Sequence, residues 1–156
     1  MSGRPSVDPR PEIQRALERV RFGEDATNIQ DLERVVMGNS IDCQWRSRAE
    51  FVWGREQIRA AIARKWRREL DRRVITELWA ADGDRIAIRF VVEFRDDNRV
   101  WFRAHGSENW ELNVSGQIRR RFTSVNEHVI HEHERLLRWA DGARPDDHPT
   151  LSELGL

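Results

Sequence analysis

From Pro11 onward, apolar residues recur at helical spacing: Ile13, Ala16, Leu17 and Val20, fading by about Thr27. Positions three and four apart share one face of a helix, so this spacing predicts an amphipathic helix. Pro11 suits the first turn, where a missing N–H costs nothing. Asn28 to Gln30 break the pattern. A second short helix is expected over Asp31 to Met37, with Asp31 near its positive end and Gly38-Asn39-Ser40 ending it. Asp42 to Trp45 and Phe51 to Trp53 read as short strands. Gly54 opens a stronger helix over Arg55 to Leu70, with an apolar stripe of Ile58, Ala61, Ile62, Trp66 and Leu70 and an opposite face that is almost all Arg.

The period then changes from helical to alternating. Arg72 to Ala81 reads as a strand, Asp82-Gly83 as a turn, and Arg85 to Arg95 places Ile86, Ile88, Phe90, Val92 and Phe94 on one face. After a turn at Asp96-Asp97-Asn98, the runs Trp101 to Leu112 and Gln117 to His128, joined near Ser115-Gly116, complete a four-stranded meander. Helices first and a long sheet last predict an α+β domain. Its mostly antiparallel sheet curves strongly around the N-terminal helices and leaves a pocket between the layers. Residues 1–10 are expected as a flexible leader, 11–130 as the domain and 131–156 as a tail. The apolar anchors Trp139 and Leu151 to Leu156 would dock the tail on the body or on a partner subunit.

The last hairpin is crowded with charge on both faces. A buried charge must be paired or face a polar cavity. On the first strand Ala104, Glu108, Trp110 and Leu112 form the more apolar face; on the second, Ile118, Arg120, Phe122, Ser124 and Asn126 share a face. With these sets inward, Glu108 meets Arg120, Ser124 and Asn126 beside Trp110. Glu108 is then the candidate acid or base, its pKa set between burial and Arg120. The competing reading is a structural network that fixes sheet register.

Composition narrows the choices. Twenty-seven basic residues balance 27 acidic ones, which excludes a bulk nucleic-acid binder. All basic residues but Lys65 are Arg. A single cysteine, Cys43, excludes an internal disulfide, reads as a small buried thiol and fits a reducing cytoplasmic setting. The chain has no Tyr, so mechanisms that need a phenol are out. No apolar run approaches the ~20 residues that span a bilayer. His128, His131 and His133 match no standard zinc spacing, and no metal is expected there.

Gly54-Arg55-Glu56-Gln57-Ile58 opening the third helix, the meander, and Gly116-Gln117-Ile118 entering the last strand resemble, in that order over about residues 12 to 128, the nuclear transport factor 2-like superfamily. That superfamily includes SnoaL-like polyketide cyclases, ketosteroid isomerases, scytalone dehydratases and limonene epoxide hydrolases. The stretches from Trp45 to Phe51, Glu108 to Glu111, Arg119 to Phe122 and Arg144 to Pro149 resemble more closely an uncharacterised, domain-of-unknown-function branch. The resemblance implies a cystatin-like α+β cone with a small-molecule pocket, chemistry without a cofactor, and a homodimer through the outer sheet face, where Trp101, Arg103 and Glu111 would lie. It also places Trp45, Arg46 and Arg48 near the pocket mouth, where either Arg could clamp an anion.

The superfamily's known catalytic parts do not carry over. The isomerase base position falls near Ser47, the hydrolase acid positions at Phe90 and Val92, and the cyclase acid at Asn126, with Glu127 its neighbour. The expectation is therefore a cofactor-independent isomerase, cyclase or lyase acting on a polar or carbonyl metabolite. Glu108, Arg120 and Asn126 would be catalytic, and Trp45, Arg46, Arg48, Phe90, Trp110 and Ser124 would bind substrate. The alternative is a non-catalytic binding or assembly module with side chains filling the pocket.

Overall fold

The computed structural model describes residues 10–156, so the expected leader lies outside it but for Arg10. Helices α1 (Pro11–Asn28) and α2 (Leu32–Met37) come first. Asp31 caps α2, its side chain accepting from the Arg34 N–H at 3.0 Å. Strands β1 (Asn39–Ser47) and β2 (Glu50–Trp53) lead into α3 (Gly54–Arg68). Leu70, expected to end this helix, instead starts the next strand, paired with Arg95. The long strands are β3 (Leu70–Asp82), β4 (Arg85–Arg95), β5 (Trp101–Leu112) and β6 (Ile118–Ile130), and α4 (Leu151–Leu154) closes the chain.

One six-stranded sheet has the order β2-β1-β6-β5-β4-β3. All neighbours are antiparallel except β1 and β6, which run parallel. Helices pack in its concave face, and the sheet does not close into a barrel: this is an α+β cone. The alternating set on β4 faces inward, and Ile86, Ile88, Phe90, Val92 and Phe94 are buried against Val20 of α1 and Ile58 and Ile62 of α3. Gly106 stands opposite Phe90 in the sheet. A Cβ there would lie 2.3 Å from Phe90 Cζ, so the glycine lets the ring lie across β5.

The tail settles the outer face. Glu93 is fully buried there. It accepts from the Leu137 N–H at 2.8 Å, the Leu136 N–H at 3.0 Å and Arg103 Nε at 2.9 Å. Leu137 and Leu151 pack on Ile75 and Val91, and Arg135 lies 3.8 Å over the Trp101 ring. Trp101 and Arg103, expected at a subunit contact, are thus covered by the chain's own tail. A second subunit on this face would have only the β5–β6–β1 part. No helix among the described residues is long and apolar enough to cross a membrane.

Candidate functional site

The cone holds a cavity of about 120 Å³ between α1, α3 and the sheet. Glu108, Trp110 and Phe90 reach it from the sheet's inner face, and Trp45 from β1. Arg120, Ser124 and Asn126 do not. Leu112 pairs with Ile118, but Glu111 pairs with Arg120, so β6 carries one extra residue at Arg119. Such a bulge puts two residues opposite one and reverses the alternation beyond it. Arg119 and Arg120 both turn outward to Glu111, at 3.1 and 3.6 Å. From there on Arg121, Thr123 and Val125 face in, while Phe122, Ser124 and Asn126 are exposed. Arg46 and Arg48 are exposed too; Arg46 lies over the outer Phe122 ring, and Arg48 sits in the β1–β2 turn.

The ion pair on the cone floor is therefore Glu108–Arg121. Trp110 Nε1 donates to Glu108 Oε1 at 3.0 Å, and Thr123 Oγ1 and Arg121 Nη2 donate to Oε2. Burial pushes this carboxyl up, but the Arg121 charge and the three donors outweigh it and hold it below the usual carboxylate range. Arg121 also stacks 4.2 Å over the Trp45 ring, whose Nε1 donates to Asn39 Oδ1 at 2.9 Å. Glu24 of α1, the other acid on the wall, accepts from the Thr76 N–H at 2.7 Å and from Arg144 of the tail at 3.0 Å. Both carboxylates are thus neutralised in place.

The cations are in excess. Arg19, Arg34, Lys65, Arg72 and Arg121 line the cavity against Glu24 and Glu108; Arg34 pairs with Asp31 and Arg72 with Glu69, which leaves Arg19 and Lys65 without a carboxylate of their own among the described residues. Arg19 Nε, Arg72 Nη1 and Arg121 Nε are buried without a protein acceptor. Buried donors normally find acceptors, and three of the five unpartnered buried side-chain N–H groups among the described residues belong to residues of this one wall, which suits an anion. Lys65 went unnoticed although two signals mark it: it stands seven after Ile58 and three after Ile62, on the apolar stripe of its helix, and it is the sole lysine among arginines. Cys43 is fully buried beside Asn39, and burial pushes its thiol up to about 11. Among the described residues no group of three His, Cys, Asp or Glu side chains could hold a metal. His128 stacks on His105 and His131 on His133, so these four histidines form two separate pairs.

An α+β cone with a cavity under its helices is the architecture of the nuclear transport factor 2-like and SnoaL-like proteins, and solved structures agree. The epoxide hydrolase/cyclase-like enzyme SalBIII, described in pyran ring formation in the polyether salinomycin, superposes with a TM-score of 0.68 at 17% identity over 76% of this chain and 98% of its own. A putative SnoaL-like polyketide cyclase from Jannaschia sp. CCS1 gives 0.67 at 16% identity over 78% and 92%. Rv0760c from Mycobacterium tuberculosis, solved with estradiol-17β-hemisuccinate, gives 0.61 at 16% over 69% and 91%. Residues 9–138 match the family described as "Protein of unknown function (DUF1348)", and the chain belongs to that family. No curated protein matches the chain.

Proposed function

We propose that this chain is a small-molecule enzyme of the isomerase, cyclase or lyase kind, acting on a small carbonyl compound that carries an anionic group. The excess of cavity cations with unpaired buried N–H groups carries this reading. Arg72 and Arg121 would hold the anion, because a guanidinium fork matches carboxylate geometry. Trp110, Phe90 and Trp45 would supply the apolar walls. Glu108, ionised at neutral pH, would accept the proton next to the carbonyl. Arg121 makes it a weak base, so the nearby cations must stabilise the enolate oxygen that forms. Arg120 and Asn126 take no part, because they point away from the cavity.

The volume sets the substrate's size. It is below the roughly 300 Å³ of drug-sized sites. A dry cavity of about 150 Å³ accepts benzene, so 120 Å³ suits roughly half a dozen heavy atoms. A cavity with apolar walls and charged groups among them also supports this reading over a module with its pocket filled by side chains. The test is hydrogen exchange in heavy water. The protein should speed deuterium exchange beside the carbonyl of 2-oxo acids such as pyruvate. Glu108→Gln should slow that exchange about a hundredfold while still folding. Exchange equally fast without protein would overturn the proposal.

A further inference from the structure

Lys65 is the chain's only lysine, and it lies on the wall of the cavity that holds Glu108, Arg72 and Arg121. We propose that the Lys65 amine condenses with the carbonyl of a small 2-oxo acid bound in the cone, forming an imine. This rests on the reading of the cavity as a site for carbonyl anions and names the covalent step that site would support.

Three observations converge. First, among the described residues no group accepts a hydrogen bond from the Lys65 ammonium, so nothing need be broken for its nitrogen to attack. Second, the cavity has the chemistry of the other half of the substrate. Arg72 is almost fully buried, is held by Glu69 through Nε at 3.2 Å, and keeps Nη1 unpartnered. Arg121 likewise keeps Nε free. Third, every charged group that acts on the amine is accounted for: burial lowers its pKa most, Arg72 and Arg121 lower it further, and Glu69 and Glu108 raise it, leaving it near 8. A desolvated lysine beside other cations is the usual way to keep an amine neutral enough to attack. An arginine, the choice at every other basic position of this chain, could not do so.

The step balances without a co-reactant. The neutral amine nitrogen attacks the carbonyl carbon, the C=O π pair moves to oxygen, and the amine's two protons leave with that oxygen as water while C=N forms. Once protonated, the imine draws electrons from the neighbouring carbon, so the proton that Glu108 would take becomes more acidic.

The full-length protein is incubated with pyruvate and cyanoborohydride, which reduces an imine to a stable secondary amine. Intact mass counts the adducts, and peptide mapping separates Lys65 from the N-terminal amine. At neutral pH, trapping at Lys65 in the folded protein should outpace the same lysine in the urea-unfolded chain on the order of a hundredfold. Pyruvate should be preferred over acetone more strongly than in the unfolded chain. Lys65→Arg, which keeps the charge, should abolish the adduct with folding intact. Trapping at Lys65 no faster than in urea overturns the imine. If pyruvate then still raises the thermal midpoint, and Arg72→Gln removes that effect, the carbonyl-anion site stands without the imine. If pyruvate gives neither trapping nor protection, both fall.

Discussion

Replacing Lys65 by Met should make the protein more stable at neutral pH. The side chain keeps its unbranched stem, and Met fills such space without a charge. Burial first, then the charges of Arg72 and Arg121, hold the ammonium's pKa near 8 rather than the ordinary 10.5. That difference corresponds to about 3 kcal/mol of stability lost while the lysine is protonated. This is an upper figure, because part of the side chain stays exposed. The pH dependence follows from proton counts. Between about 8 and 10.5 the unfolded chain still holds the Lys65 proton that the folded chain has released, so the contribution of Lys65 to wild-type stability rises across this window. The advantage of Lys65→Met is therefore full below about pH 8 and gone by about 10.5. The chain has no Tyr and no second Lys, and the buried Cys43 thiol, which titrates in the same range with the opposite sign, is common to both proteins and cancels in the difference. Urea unfolding of both proteins at intervals from neutral pH to about 10.5 reads the gap directly. A gap that does not change with pH, or a Met variant that is less stable at neutral pH, would refute a desolvated ammonium in the cavity.

Glu108→Gln should cost about 3 kcal/mol or more, because it leaves the Arg121 charge unpaired inside the cone; urea unfolding measures it. Gly106→Ala should cost about 1 to 3 kcal/mol through collision with the Phe90 ring, and Phe90→Leu in the same chain should return part of that loss. Glu93→Gln should loosen the tail by weakening its hold on Arg103 and the Leu136 and Leu137 N–H groups. Limited proteolysis should then cut between residues 131 and 156 faster than in wild type.

The element order, the α+β cone and the inward face of β4 were all legible in the sequence, because one long apolar alternation can bury only one way. The inward placement of Glu108 and Trp110 followed from the same parity on β5. On β6 that logic failed at a single residue. Ile118 does face in, but the bulge at Arg119 hands every later inward position to its neighbour. Arg119, Arg120 and Arg121 look alike in sequence, and only their pairing with Glu111 or Glu108 tells them apart. Trp101 and Arg103 misled differently. Their face was read as a subunit surface, and the tail that covers them shows no periodicity connecting it to β4. Lys65 was legible and passed over: its spacing from Ile58 and Ile62 puts it on the apolar stripe of α3, and that stripe turns this one amine into the cone.

The central claim is that the cone binds a small carboxylate on its buried cations. A crystal structure with oxamate, an unreactive analogue of pyruvate, tests it most directly. We expect its carboxylate within hydrogen-bond distance of Arg72 Nη1 or Arg121 Nε, with its amide end toward Lys65. A cavity that stays empty at saturating oxamate, or oxamate found only on the outer sheet face, would contradict it.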